Sequence, residues 1–394
     1  MLTFDEAIAL LETVVAPLRS ETLPIAAAAD RFLAKPLAAR SASPARTVSA
    51  MDGYAISGGT GAAGRWFDLV GENRPGAEDP GSIAQDQTVR VLTGAPVPQG
   101  TDCVVMQEYA ERDGSRVRFA EGYGPATHIR AAGSDFAAGD VLVAAGERLT
   151  PRAMIAAAAA DRADCTVSAR PRVAVIATGD ELAPPGTSAD RPGSVPESAS
   201  YGVAALCEAM GGDVLGRFHG RDTIDELERI AGEALAISDC IIVTGGASVG
   251  DYDLARPMFE RHGLELVFGR IAIKPGKPVW LGKAGKKLVL GLPGNPTSAM
   301  VTARLFLQPL LAAMQGGTIA RQLCFVPMPL GASLPRSDSR ETFVRARSSA
   351  QGLVPAENQE SGAQSPLVTA DWLIRRPANS PPAAAGDLVL ALPF

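Results

Sequence analysis

An apolar run that ends in paired glycines constrains this chain most. In DCIIVTGGASVGDYD, residues 239–253, Ile241, Ile242, Val243 and Thr244 read as a buried strand that Gly245 and Gly246 end at once. The pattern DLARPMFERHG that follows is helical. Strand, glycine turn and helix in that order form the unit of a parallel α/β sheet whose loops hold a ligand. The same event recurs on both sides: RVAVIATGDEL runs into Thr178, Gly179, Asp180 and Glu181, and KLVLGLPGNPTSAM into Gly291, Pro293, Gly294, Asn295 and Pro296. Strands of one parallel sheet bring such loops together at its carboxyl edge, where open α/β sheets bind ligands.

From Arg170-Pro171 onward the alternation is regular. Strand 172–177, helix 201–211, strand 213–219, helix 223–237, strand 240–244, helix 253–262 and strand 264–273 predict a mostly parallel, three-layer α/β domain. A helix from Pro296 to near Gln315 closes it, with Gly316-Gly317 at the exit. Upstream, Thr3 and Glu6 form a capping box, and Phe4, Ala7, Ile8, Leu11, Val14, Val15 and Leu18 recur at helical spacing. The stretch from Trp66 to Arg130 breaks into short strands and turns. Asp52-Gly53 reads as a hairpin turn, and Thr93, on the rigid corner TGAP, either contacts a substrate or closes a turn. Residues 133–151 read as a β-hairpin with turns at Ala138-Gly139 and Ala145-Gly146. Thr150 as N-cap and Pro151 then launch the helix RAMIAAAAADRADC. Packing of the segments that flank the β-rich region would make that region an insertion. From about Ile319 the pattern returns to short strands with Pro, Gly and Ser turns, which predicts a small barrel.

Composition narrows the function. A chain of 394 residues exceeds one ordinary core, so about two to four domains are expected. Net charge is −6 with no dense basic patch, which argues against nucleic acid as a partner. The N-terminus is acidic where a signal peptide is basic, and no apolar run reaches the ~18 residues a membrane span needs, so the chain reads as cytoplasmic. The cysteines Cys103, Cys165, Cys207, Cys240 and Cys324 are scattered and never spaced as CxxC, which disfavours a disulfide framework or a zinc site. His128, His219 and His262 lack metal-ligand spacing and read as structural.

The loops carry the chemistry. Asn295 and Pro296 stand at the N-cap and first turn of a helix whose free N–H groups suit an anion, and Gly294 allows close approach. Lys274 and Lys277, held by Pro275, Gly276 and Pro278, form a preorganised cationic clamp. Glu181, Asp222, Asp251 and Asp253 lie on neighbouring loops. Any one of them is explained as a helix N-cap, Asp222 before TIDELERI above all. Together, beside a phosphate, they call for a divalent cation, and hard oxygen ligands suit magnesium.

Taken as a series, SAMDGYA, VLTGAPVPQGTDCVV, IRAAGSDFAAGD, VIATGDEL, TGGASVGDYD, IKPGKP and GLPGNPTSA resemble the motifs of the molybdopterin molybdenumtransferase family, in order over nearly the whole chain. The resemblance implies a four-part subunit, which we place at 1–40 with 133–169 (a segmented linker domain), 41–132 (β-rich insertion), 170–318 (three-layer α/β molybdopterin-binding domain) and 319–394 (C-terminal β-barrel). It implies a homodimer with the cleft shared between subunits, and insertion of molybdenum from molybdate into adenylylated molybdopterin with Mg²⁺ and release of AMP. A non-catalytic molybdopterin carrier is the alternative.

Residue by residue, the resemblance gives catalytic roles to Asp52, Thr93, Asp135, Glu181, Asp222, Asp253, Lys274 and Lys277, with Glu181, Asp222 and Asp253 on the metal. It gives ligand contacts to Thr178, Gly179, Gly245, Gly246, Ser248, Gly250, Pro275, Gly276, Pro293, Gly294, Asn295 and Pro296. Arg345 and Ser365 join them from the C-terminal module. The chain departs from the family at Ala199, where an asparagine is usual, and at Ala247, where a valine is.

Overall fold

The computed structural model describes residues 1–58, 61–246 and 254–394. At its centre is a six-stranded sheet ordered Asp213–Gly220, Arg172–Thr178, Cys240–Thr244, Lys287–Leu292, Trp280–Ala284, Leu264–Gly269. The first four strands are parallel and the last two antiparallel. Strands Arg172–Thr178 and Cys240–Thr244 are buried almost throughout, as a sheet covered on both faces requires. Alternate side chains serve the two faces. Ala174, Ile176, Ile241 and Val243 pack with Leu227, Ile230 and Ala234 of helix Ile224–Ile237. Val175, Ile242 and Leu290 pack with Val203 and Cys207 of helix Ala199–Ala209 and with Leu305, Phe306, Leu307, Leu310 and Leu311. Arg172–Thr178 is followed in chain order by the strand on one side of it and then by the strand on the other, so the sheet has its topological switch point between Thr178 and Thr244.

Several elements differ from the sequence reading. The strand expected at 264–273 stops at Gly269, because Arg270 takes a left-handed conformation (φ 59°), and Ile273–Lys274 joins the barrel strand Glu341–Ser349 instead. Of the helix expected at 253–262, the described part is a 3₁₀ segment, Pro257–His262, ended by Gly263 at φ 73°. The helix from Pro296 runs to Met314 with a π turn at Ala303–Leu307.

Trp280 faces Gly291 across the antiparallel pair, and a Cβ on Gly291 would sit 1.9 Å from Trp280 Nε1. Gly291→Ala should therefore force the indole out of its place and cost about 3 kcal/mol, read as a lowered thermal midpoint.

Residues 133–151 form no hairpin with themselves. Val141–Val143 pairs with Leu37–Ala38, and both glycine turns bind that same segment, Gly139 N–H to Ala39 and Gly146 N–H to Leu33. Thr150 caps helix Pro151–Ala159 by accepting from Ala153 N–H. The helix ends early, with Asp161 at φ 55°, and frees Asp164–Ser168 to pair with Ser20–Pro24. Leu33, Leu37, Val143, Leu149, Ala157 and Val167 share the resulting small core. Helix Phe4–Val14 instead buries Phe4, Ala7 and Leu11 in the central core, beside Phe306 and Phe343.

Asp52-Gly53 is not a hairpin turn. Gly53 opens strand Gly53–Ile56, squeezed so close to its neighbour that a Cβ would lie 2.1 Å from the Val105 carbonyl oxygen. That strand is internal to a second six-stranded sheet, between Cys103–Met106 and Gln87–Val91. In the C-terminal module, strands Val326–Pro329, Leu388–Pro393, Trp372–Arg376, Glu341–Ser349 and Gly352–Pro355 pair in succession, and a bridge between Leu330 and Leu353 joins the two ends into a barrel. Among the described residues no helix is long and apolar enough to cross a membrane.

Candidate functional site

A cleft of about 760 Å³ opens at the switch point, a size suited to a small organic ligand. Thr178 and Gly179 end the first parallel strand there, Gly245 and Gly246 follow the third in chain order, and Pro293, Gly294, Asn295 and Pro296 follow the fourth parallel strand. These loops meet as the repeated strand-then-glycine pattern predicts. Their glycines are required: Gly245 sits at φ 98°, where a Cβ would lie 2.5 Å from the Thr178 carbonyl oxygen, and a Cβ on Gly294 would lie 3.2 Å from the Gly245 Cα. The backbones are therefore packed against one another at the cleft floor. Beside them the buried Thr178 hydroxyl has no hydrogen-bond partner among the described residues, and it stands at the wall as a donor and acceptor.

Glu181 and Asp222 both line the cleft. Asp222 is not an N-cap: the cap position is Thr223, and the Asp222 N–H donates to Asp180 Oδ1. Burial raises the Asp222 pKa first, and the Asp180 and Glu181 carboxylates add to it, against the Asp180 backbone N–H and His219. Carboxylates that repel one another in a cleft are what a cation would relieve. Among the described residues no group of three or more His, Cys, Asp or Glu is arranged to hold a metal. Ser248, Gly250, Asp251 and Asp253 lie outside the described residues.

The far wall comes from the barrel, which sequence reasoning largely missed. Gly362 and Gln364 line the cleft, whereas Ser365, one residue on, starts a 3₁₀ turn and lines a separate depression with Asn358 and Pro366. Ser198 Oγ donates to Gln364 Oε1, Asn295 Nδ2 to Ser361 Oγ, and Thr297 Oγ1 to the Ala363 carbonyl. Asn295 thus spends its amide on this strap and makes no side-chain cap to its own helix. The signal available in the sequence was the polar run ENQESGAQ beside Ser365. Glu197 accepts from Ser200 N–H and Oγ and so fixes the start of helix Ala199–Ala209, whose first residue, Ala199, faces the cleft.

Arg345 does not line the cleft. It is buried, and its Nη2 donates to the carbonyls of Asn358 and Glu360 at the root of the strap, while Nε and Nη1 have no partner among the described residues. Burial lowers its pKa. Burying this charge costs stability, and a methionine there would remove that cost together with the two hydrogen bonds, so the two effects oppose one another. Arg345→Met should therefore leave the thermal midpoint nearly unchanged and loosen the strap, weakening ligand binding about tenfold by calorimetry.

Other expected residues lie away from this cleft in the single chain. Pro278 lines it, but Lys274 and Lys277 are exposed outside it, and Lys274 Nζ is paired with Asp338 Oδ2 at 2.7 Å. That pairing holds the Asp338 carboxyl below its ordinary range. Pro275 is also off the cleft, and Gly276, at φ 108°, is tucked where a Cβ would lie 2.2 Å from Thr302 Cγ2. On the second sheet, Asp52 Oδ1 accepts from both the N–H and the hydroxyl of Thr93, at 2.6 and 2.7 Å, which lowers the Asp52 pKa. Asp135 is exposed, its N–H donating to the Ser43 carbonyl.

Known proteins share this layout. Family models match along the chain: the MoeA N-terminal region (domain I and II) over residues 2–160, a probable molybdopterin binding domain over 174–313, and the MoeA C-terminal region (domain IV) over 327–394. A molybdopterin molybdenumtransferase of Haemophilus influenzae is 34% identical over 319 residues, covering 80% of this chain and 78% of that one. One from Synechococcus elongatus is 32% identical over 403 residues, covering 99% and 98%. The crystal structure of a molybdopterin biosynthesis moeA protein from Pyrococcus horikoshii OT3 shares the fold over 100% of both chains, with a TM-score of 0.84 at 23% identity. With its motifs in order, its three regions matched and one relative aligned over 99% of it, the chain belongs to the molybdopterin molybdenumtransferase family.

Proposed function

We propose that this chain inserts molybdenum from molybdate into adenylylated molybdopterin, with release of AMP, as the last step of molybdenum cofactor synthesis. The observation that carries the reading is the cleft at the switch point, floored by Gly245 and Gly294 and edged by Glu181 and Asp222. Close backbone approach at the glycines suits a phosphate chain, and the Thr178 hydroxyl, unpartnered among the described residues, gives one more polar contact. The strap at Gly362 and Gln364 covers the ligand and keeps water from the anhydride bond.

Glu181 and Asp222 fit a magnesium ion, which takes one or two carboxylates and completes its shell with phosphate oxygens and water. When bound, the ion supplies Lewis-acid polarisation of the phosphoryl oxygens. Asp253 is the third acid we assign to it. Lys274 and Lys277 offset the charge of molybdate and of the departing phosphate. We further propose a homodimer in which Asp52, Thr93 and Asp135 of one protomer face the cleft of the other, since within one chain they lie away from it. The free cysteines suit a reducing compartment, and we place the reaction in the cytoplasm.

The test is direct incubation of the purified chain with adenylylated molybdopterin, Mg²⁺ and molybdate. AMP release together with active cofactor is expected. Tight binding of the pterin with no AMP formed would instead make the chain a carrier.

A further inference from the structure

Beside the main cleft lies a side chamber of about 120 Å³. Leu182 and Glu197 face both spaces, so the two adjoin. Arg217 of strand Asp213–Gly220 lies over the ring of Tyr201, its guanidinium carbon 3.6 Å from the ring centroid, and both line the chamber. Tyr201 is 45% exposed, so the pair stands at an open wall rather than in the core. Glu197 has both carboxylate oxygens engaged by Ser200 and offers a fixed wall. His219, also in the lining, has Nε2 3.1 Å from the carbonyl oxygen of Gly179, a residue of the main cleft.

A single arginine laid on an aromatic ring, among Leu182, Pro184, Pro185 and Phe218 and with the Glu197 carboxylate in the same lining, is poorly matched to a free phosphate. It is well matched to a flat heterocycle, because guanidinium planes and aromatic rings both stack on nucleobases. We propose that the chamber takes the nucleobase of the adenylylated pterin, with the purine against the Arg217–Tyr201 pair and the phosphates in the main cleft at Gly179. The assignment of the nucleotide rests on the function proposed above, and it makes Tyr201 and Arg217 specificity residues for the leaving group.

Tyr201→Ala and Arg217→Lys test this, the second keeping the charge and removing the plane. Calorimetric titration with AMP should show binding weakened about tenfold in each variant. Affinity for molybdopterin without the nucleotide should be unchanged, and with adenylylated molybdopterin KM should rise while kcat holds. Unchanged AMP affinity in both variants overturns the inference, as does failure of the wild-type chain to bind AMP while it binds molybdopterin. Failure of the wild-type chain to bind molybdopterin at all counts against the proposed function instead, and the AMP titration still decides the chamber.

Discussion

Asp222→Asn is expected to lower the rate of molybdenum insertion about 100-fold or more while making the folded chain more stable at neutral pH. The rate falls because Asp222, which lines the cleft with Glu181, loses its charge with almost no change of shape. Stability rises because the native Asp222 is held, half-buried, beside Asp180 and Glu181. Its folded pKa is raised above the ordinary 3.8, so the folded state binds this proton more tightly than the unfolded chain does. The native chain therefore carries no penalty below the unfolded pKa, and the penalty grows as pH rises through the folded value. The stability gained by the amide should follow the same course, absent in acid and full at neutrality. Urea denaturation of both proteins at acid and neutral pH, beside the AMP-release assay, measures the two effects. A variant as active as the native chain would remove Asp222 from the site.

Gly245→Ala should abolish ligand binding at working concentrations. The position holds φ at 98°, and the new methyl would lie 2.5 Å from the Thr178 carbonyl oxygen and 2.9 Å from its hydroxyl. A non-glycine residue in that conformation is strained, and the opposing atom is backbone, which cannot swing away as a side chain would. A cost of about 3 kcal/mol is expected, equivalent to ~100-fold in affinity if it falls wholly on the cleft floor. Because Gly245 follows the buried strand Cys240–Thr244, some of the cost will appear as a lower thermal midpoint. Pterin titration with a parallel melting curve separates the two. Native affinity in a folded variant would show that the floor is not built as described.

The central sheet was legible because its signals are local. Apolar runs such as Cys240–Thr244, each followed by a glycine, specify strand, turn and site together. Elements set by distant partners were not. Asp52-Gly53 reads locally as a turn, but the pressure on Gly53 comes from Val105, and the partner of Asp52 is Thr93. Val141–Val143 looks like half of a hairpin until Leu37–Ala38 supplies the other edge. The strap is the clearest case. Its contacts join residues far apart in the chain, as Ser198 to Gln364 and Asn295 to Ser361, and no spacing in the sequence encodes them. Arg345 was placed among the ligand contacts by its motif, whereas burial turns its guanidinium toward the Asn358 and Glu360 carbonyls.

The most direct measurement is a crystal of this chain soaked with adenylylated molybdopterin. Ligand density should fill the cleft between Gly245, Gly294 and the strap, with phosphates beside Thr178 and Gly179. Ordered pterin density elsewhere on the chain, with that cleft empty, would contradict the account.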